Sequence, residues 1–137
     1  MTITLSASEL ITRVAVEDAV VQMFVATDER DWPVLEDCFT DPFTLDMTSM
    51  VGGTPIEMTP RQVAQAWAAG FKPLDHVHHQ VGNLRTEVSG NQALAKCYGA
   101  AFHHRSQAIG AQCIAGIDEI DDAVCQADEW RKFHGAV

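Results

Sequence analysis

His76-Val77-His78-His79-Gln80-Val81-Gly82-Asn83 opens a long alternating run that reaches Ser89-Gly90-Asn91 and returns from Gln92 to Arg105. Two half-apolar runs joined by a glycine–asparagine turn make a β-hairpin. Two further strands are expected over 112–124 and 129–137, with Gln126-Ala127-Asp128 as the turn between them. Upstream the chain is mostly helix, so helices come first and a meandering antiparallel sheet follows. That order is an α+β fold with its helices on one face of the sheet.

The hairpin also sets a register. A Gly90-Asn91 turn puts Ser89 opposite Gln92 and Val88 opposite Ala93, so Leu84, Val88, Ala93, Ala95 and Cys97 share one apolar face. Arg85, Glu87 and Lys96 share the other. Extended without interruption, this register carries His78 and His103 on the core face and turns His79 outward. One β-bulge, for which Gly82 is the obvious place, exchanges His78 for His79. Periodicity therefore nominates His103 and leaves His78 and His79 as rivals. Gly99, Ala101 and Ala95 are small, and leave volume for helix aromatics or for a ligand. Leu94, Tyr98, Phe102 and Val81 fall on the opposite face of the straight register, an apolar area that points to a homodimer through the outer sheet face.

Ser6-Ala7-Ser8-Glu9 is a capping box that starts a helix running to about Asp28, with Val16, Val20, Met23 and Phe24 on one stripe and a break expected near Ala15. Asp31-Trp32-Pro33 starts a second helix to about Phe39, with Trp32, Leu35 and Phe39 buried, Asp31 as N-cap and Thr40-Asp41-Pro42 as its stop. Phe43 to Met47 alternates like a short strand, and 48–58 reads as a loop or a poorly paired hairpin. Thr59-Pro60 begins a third helix that ends at Gly70, with Val63, Trp67 and Phe71 on one side.

At 137 residues the chain is one domain, 1–137. A net charge of −10 opposes binding to nucleic acid or to an anionic membrane surface. No run is long and apolar enough to span a bilayer, and residues 1–8 lack the features of a signal peptide. The four cysteines, Cys38, Cys97, Cys113 and Cys125, form no CxxC pair and read as buried apolar groups in a reducing compartment. A cytoplasmic protein is expected.

Thr27-Asp28-Glu29-Arg30-Asp31-Trp32, Phe43 to Met47, His79-Gln80-Val81-Gly82-Asn83 and Asp128-Glu129-Trp130-Arg131 together resemble the SnoaL-like proteins, in the expected order. Those belong to the nuclear-transport-factor-two-like superfold, which also holds scytalone dehydratase and ketosteroid isomerase. The resemblance implies a cystatin-like α+β roll: a cone-shaped, strongly curved, mostly antiparallel sheet wrapped around three N-terminal helices, with a pocket at the open end. By motif, the dyad of scytalone dehydratase falls on Asp28 and His79, and its second histidine on His103. The resemblance thus chooses His79 over His78 and implies the bulge. Thr27 and Met47 stand where that enzyme has two water-holding tyrosines, and the ketosteroid isomerase oxyanion pair has no match.

A neutral imidazole oriented by a carboxylate is a useful proton acceptor near neutral pH. His103 across the pocket would protonate a leaving hydroxyl or polarise a carbonyl. The set Asp28, His79 and His103 therefore suits a cofactor-independent dehydratase, isomerase or cyclase. Phe24, Met47, Trp67, Phe71 and His78 are the expected contacts for a hydrophobic carbonyl or hydroxyl ligand, cyclic ones included. The alternative is a non-catalytic ligand-binding or dimerising module of the same fold. A metal site from His76, His78, His79, His103 and His104 is a weaker rival, since no carboxylate sits beside them at a familiar spacing.

Overall fold

The computed structural model describes residues 4–106 and 112–126. The strand expected over 129–137, the turn at 126–128, the Asp128-Glu129-Trp130-Arg131 stretch and His134 fall wholly or partly outside the described residues.

Helix α1 spans Ala7–Glu29. Its capping box closes as read: Ser6 Oγ accepts from the Glu9 N–H at 3.2 Å, and the Ser6 N–H donates to Glu9 Oε2 at 2.8 Å. No break occurs near Ala15. The buried stripe of Val16, Ala19, Val20, Met23 and Ala26 passes straight through that point, and continuous burial outweighs a second acidic turn. The helix ends at Arg30, which takes a left-handed conformation and donates its N–H to the Ala26 and Thr27 carbonyls.

Helix α2, Trp32–Glu36, is capped by Asp31, whose carboxylate accepts from the Val34 N–H at 3.3 Å. It stops short of Phe39, yet Leu35 and Phe39 are buried as expected. Strand β1 (Phe43–Leu45) pairs antiparallel with β2 (Ile56–Met58), and a single helical turn, α3 (Thr48–Val51), stands between them. Of the two readings of 48–58, a loop or a poorly paired hairpin, the structure shows a short paired hairpin, with Gly52 and Gly53 at positive φ in its connection.

Helix α4, Pro60–Phe71, opens on a second capping box, Thr59 with Gln62. It runs through Gly70 instead of ending there: Gly70 keeps an ordinary negative φ, and Lys72 is still right-handed. Pro73, two residues past Phe71, stops the helix. This extra residue keeps Phe71 on the helix, which matters for the site.

Strands β3 (His76–Ser89), β4 (Gln92–Arg105) and β5 (Gln112–Gln126) form an antiparallel sheet in that order. Ser89 faces Gln92 and Arg85 faces Lys96, after which the register shifts so that Gly82 faces Tyr98. Asn83 and Leu84 thus stand opposite Cys97 alone. The bulge is one residue later than expected: Asn83, not Gly82, holds the left-handed conformation at φ 53°. Asparagine tolerates that region because its short amide bonds locally.

The bulge swaps the faces of β3. Below it Leu84, Thr86 and Val88 point inward; beyond it Val77, His79 and Val81 do. Val81 therefore leaves the outer apolar face assigned to it by the straight register and packs against the core. Leu94, Tyr98 and Phe102 remain outside, with Tyr98 47% exposed. The core joins α1 (Val16, Val20, Met23) to Leu35, Phe39, Phe43 and Val63, and closes on Ala93, Ala95 and Cys97 of β4. Phe39 and Phe43 stack with centroids 4.3 Å apart. Each fully buried ring contributes roughly 2–3 kcal/mol. Cys38 and Cys97 are buried free thiols, and burial pushes each up to about 11.

Candidate active site

The last turn of a helix is a poor place for a carboxylate, because the helix dipole is negative there. Asp28 sits in that turn of α1, and its partners lie on another element. Among the described strands β3 is an edge, so the N–H of His79 is left without a strand neighbour. Asp28 fills that gap: the His79 N–H donates to its Oδ2 at 2.9 Å and to its Oδ1 at 3.1 Å. The His79 ring turns back to the same group, with Nδ1 at 2.6 Å from Oδ1. With Asp28 ionised, Nδ1 is the donor in that bond, and the lone pair is left on Nε2. Asp28 and His79 are both mostly buried, their side chains 18% and 13% exposed.

The His79 ring belongs to an aromatic enclosure. The Phe24 ring lies 5.3 Å from the imidazole and the Phe71 ring 6.3 Å. Phe71 meets His103 edge-on at 5.5 Å, and the two imidazoles stand 6.2 Å apart at 75°. His103 is paired with Val77 and is therefore the diagonal cross-strand neighbour of His79. Burial lowers the His103 pKa below the usual histidine range, and His79 adds to the lowering while Asp28 works against it. Its Nε2 is buried with no hydrogen-bond partner among the described residues. An unpaired polar atom at such a place is one a ligand would satisfy.

The bulge decides which of the adjacent histidines enters. His78 lies on the outer face, its side chain 69% exposed and its ring stacked on Phe102 at 6.1 Å. It approaches the other oxygen of Asp28, Oδ2, at 3.5 Å around the strand edge. His76 and His104 form a separate outer pair, with ring centroids 5.8 Å apart. Among the described residues no three His, Cys, Asp or Glu side chains are grouped to hold a metal ion.

Of the expected ligand contacts, the structure brings Phe24 and Phe71 to the imidazoles. Trp67 meets Phe39 edge-on at 6.4 Å and packs on the core. Met47 is half-buried at the N-cap of α3. Thr27 is 2% exposed, and its hydroxyl donates to the Met23 carbonyl at 2.8 Å. Arg30 is the residue that the sequence reading missed. Its guanidinium donates to the Phe71 and Leu74 carbonyls. The available signal was that Arg30 is the sole Lys or Arg between Val14 and Pro60.

This site lies in a sheet-and-helix frame that has many counterparts. The SnoaL-like domain family matches over residues 8–134, and the chain belongs to it. No curated protein matches the sequence. Among solved structures, the Kfla4162 protein of Kribbella flavida superposes with a TM-score of 0.77 at 15% identity, covering 92% of this chain and 88% of that one. A proposed scytalone dehydratase of Novosphingobium aromaticivorans gives 0.74 at 12% identity, over 96% and 85% of the two chains. A type 2 hexachlorocyclohexane dehydrochlorinase, LinA, gives 0.68 at 18% identity, over 92% and 82%. At these identities the likeness is one of fold. The described helices include none long and apolar enough to cross a membrane.

Proposed function

We propose that the protein is a cofactor-independent acid–base enzyme of the dehydratase, isomerase or cyclase type, acting on a hydrophobic carbonyl or hydroxyl compound. The observation that carries this is the 2.6 Å contact between Asp28 Oδ1 and His79 Nδ1. It leaves Nε2 of His79 as the base, on a ring that packs against Phe24, Phe71 and His103. Proton abstraction beside a carbonyl, or beside a leaving group, is what such a base does. Because burial favours the neutral form of His103, its role in this reading is to donate an N–H to a substrate oxygen and polarise it. Solved structures of this fold include proteins named as dehydratase, dehydrochlorinase and polyketide cyclase, which fits chemistry of this kind. The same reading has the sheet curving as a cone around the helices, with two copies meeting through its outer face.

The test is a screen of hydrophobic β-hydroxy and cyclic carbonyl compounds for elimination or isomerisation, with Asp28→Asn and His79→Ala as controls. Turnover that vanishes in both folded variants supports the reading; turnover unchanged in both ends it. A second reading, a ligand-binding module without chemistry, is favoured by Thr27. Its one hydroxyl hydrogen goes to the Met23 carbonyl and the side chain is 2% exposed, so it does not donate to a pocket water as a phenol would. Under that reading both variants bind the hydrophobic ligand and neither wild type nor variant turns it over.

A further inference from the structure

Helix α4 ends without a cap of its own. No basic residue lies in its last turn, and the residue after it remains right-handed. Its terminal carbonyls therefore need donors from elsewhere. Leu74 supplies one through its N–H to the Phe71 carbonyl at 3.0 Å. Arg30, at the end of α1, adds a second donor to the same carbonyl and ties down the linker: Nη2 donates to the Phe71 carbonyl at 3.4 Å and to the Leu74 carbonyl at close range. A cation at a helix C-terminus also meets the favourable end of the dipole.

The other side of the same linker is tied to β4. The Asp75 N–H donates to the His104 carbonyl at 2.9 Å, and the Asp75 carboxylate accepts from the Ser106 N–H. Residues 71–75 are thus held from both sides of the site, by Arg30 two residues from Asp28 and by His104 next to His103. Between those two anchors stands the Phe71 ring, in contact with both imidazoles.

We infer that Arg30 is a positioning residue for this site: through the Phe71 and Leu74 carbonyls it sets the Phe71 ring against His79 and His103. It touches no substrate. Its effect passes through the backbone of α4 to an aromatic wall, so it governs how tightly a hydrophobic ligand is held over the dyad. The inference rests on the proposed site, but its test reads geometry as well as turnover.

The experiment is proton–carbon NMR of the imidazole Cε1–H groups in the full chain, comparing wild type with Arg30→Gln, Arg30→Lys and Phe71→Leu. Phe71→Leu defines the shift produced by losing the ring current. In Arg30→Gln the His103 and His79 signals are expected to move toward their Phe71→Leu positions, and the Phe71–His103 nuclear Overhauser contact is lost. Arg30→Lys keeps the charge on a shorter, more strongly hydrated and less pre-organised head, so it moves part of the way. It answers the question even if Arg30→Gln does not fold. Wild-type imidazole shifts in either folded Arg30 variant overturn the inference. Once a substrate is in hand, Arg30→Gln should raise KM by up to about tenfold, the worth of the displaced aromatic contact, with a smaller change in kcat. A kcat that falls while KM holds also overturns it. Failure of the acid–base reading shows separately, as Asp28→Asn without effect on turnover.

Discussion

The residues that matter most are adjacent to ones that do not, and a single backbone irregularity separates them. His78 and His79 are indistinguishable by type, and period-two alternation in a straight strand favours the wrong one. The Asn83–Leu84 bulge reverses the choice, and no alternation pattern contains a bulge. From the residues alone Asp28 is a carboxylate at a helix end, and it is the SnoaL-like resemblance that pairs it with His79. What marks it is its cost: a negative group in the last helical turn, offset by the donors His79 brings. Asp28→Asn keeps the shape but loses the negative charge and one of the two acceptor oxygens that hold the His79 backbone and ring. Turnover should fall on the order of 10²–10⁴-fold, the usual range for a positioned acid or base, as measured in steady-state assays. For His103 the prediction concerns stability. Its folded pKa lies below its unfolded value, so the unfolded chain takes the proton first as pH falls. Stability from this group is intact above the ordinary histidine range and declines as pH drops through the unfolded pKa, levelling only below the folded one. His103→Gln should flatten that part of the urea-midpoint profile between pH 7 and 5. An unchanged slope there would show that His103 carries no such burden.

At the scale of elements, starts were easier to read than ends. Both capping boxes close where Ser6 and Thr59 place them, because the signal is local to four residues. The missed ends have tertiary causes. α1 runs on past Ala15 because its buried stripe does, and α4 runs on past Gly70 because Phe71 has the imidazoles to meet. The strand at Phe43 is legible from its alternation, but its partner stays open between a loop and a poorly paired hairpin because β2 is only three residues long. The bulge offers the sharpest test at this scale. Asn83 sits at φ 53°, where a β-branched residue is strained. Asn83→Val should therefore cost about 1–3 kcal/mol in urea unfolding, whereas Asn83→Gly should be nearly neutral. If the valine straightens the strand instead, the register beyond it slips by one residue and His78 replaces His79 inside. Amide NMR would then show the loss of the protected His79 N–H that Asp28 now accepts.

For the whole molecule the open matter is what covers its apolar surface. The order of elements, helices first and sheet last, was readable because it needs only local periodicity. Association is not local, and here two faces compete. One is the outer sheet face, Leu94, Tyr98 and Phe102, with His78 stacked at its edge. The other is the solvent side of α1, where Leu10, Ile11, Val14, Val21 and Val25 are each at least 42% exposed. The sheet face carries two aromatic rings, Tyr98 and Phe102, and aromatic side chains are enriched at interfaces, which favours it as the seat of a homodimer. Wild type should therefore sediment at twice 15.0 kDa at micromolar concentration. Tyr98→Glu should halve that mass, and Val21→Lys should leave it alone; the reverse pattern moves the interface to α1. Salt gives an independent check. Each copy carries a net charge of −10, so two copies repel at long range. Screening weakens that repulsion while apolar burial is untouched, so the dimer should tighten as salt rises from 0.05 to ~0.5 M. A dimer that loosens over that range is held by ion pairs, and the apolar sheet face is then not its interface.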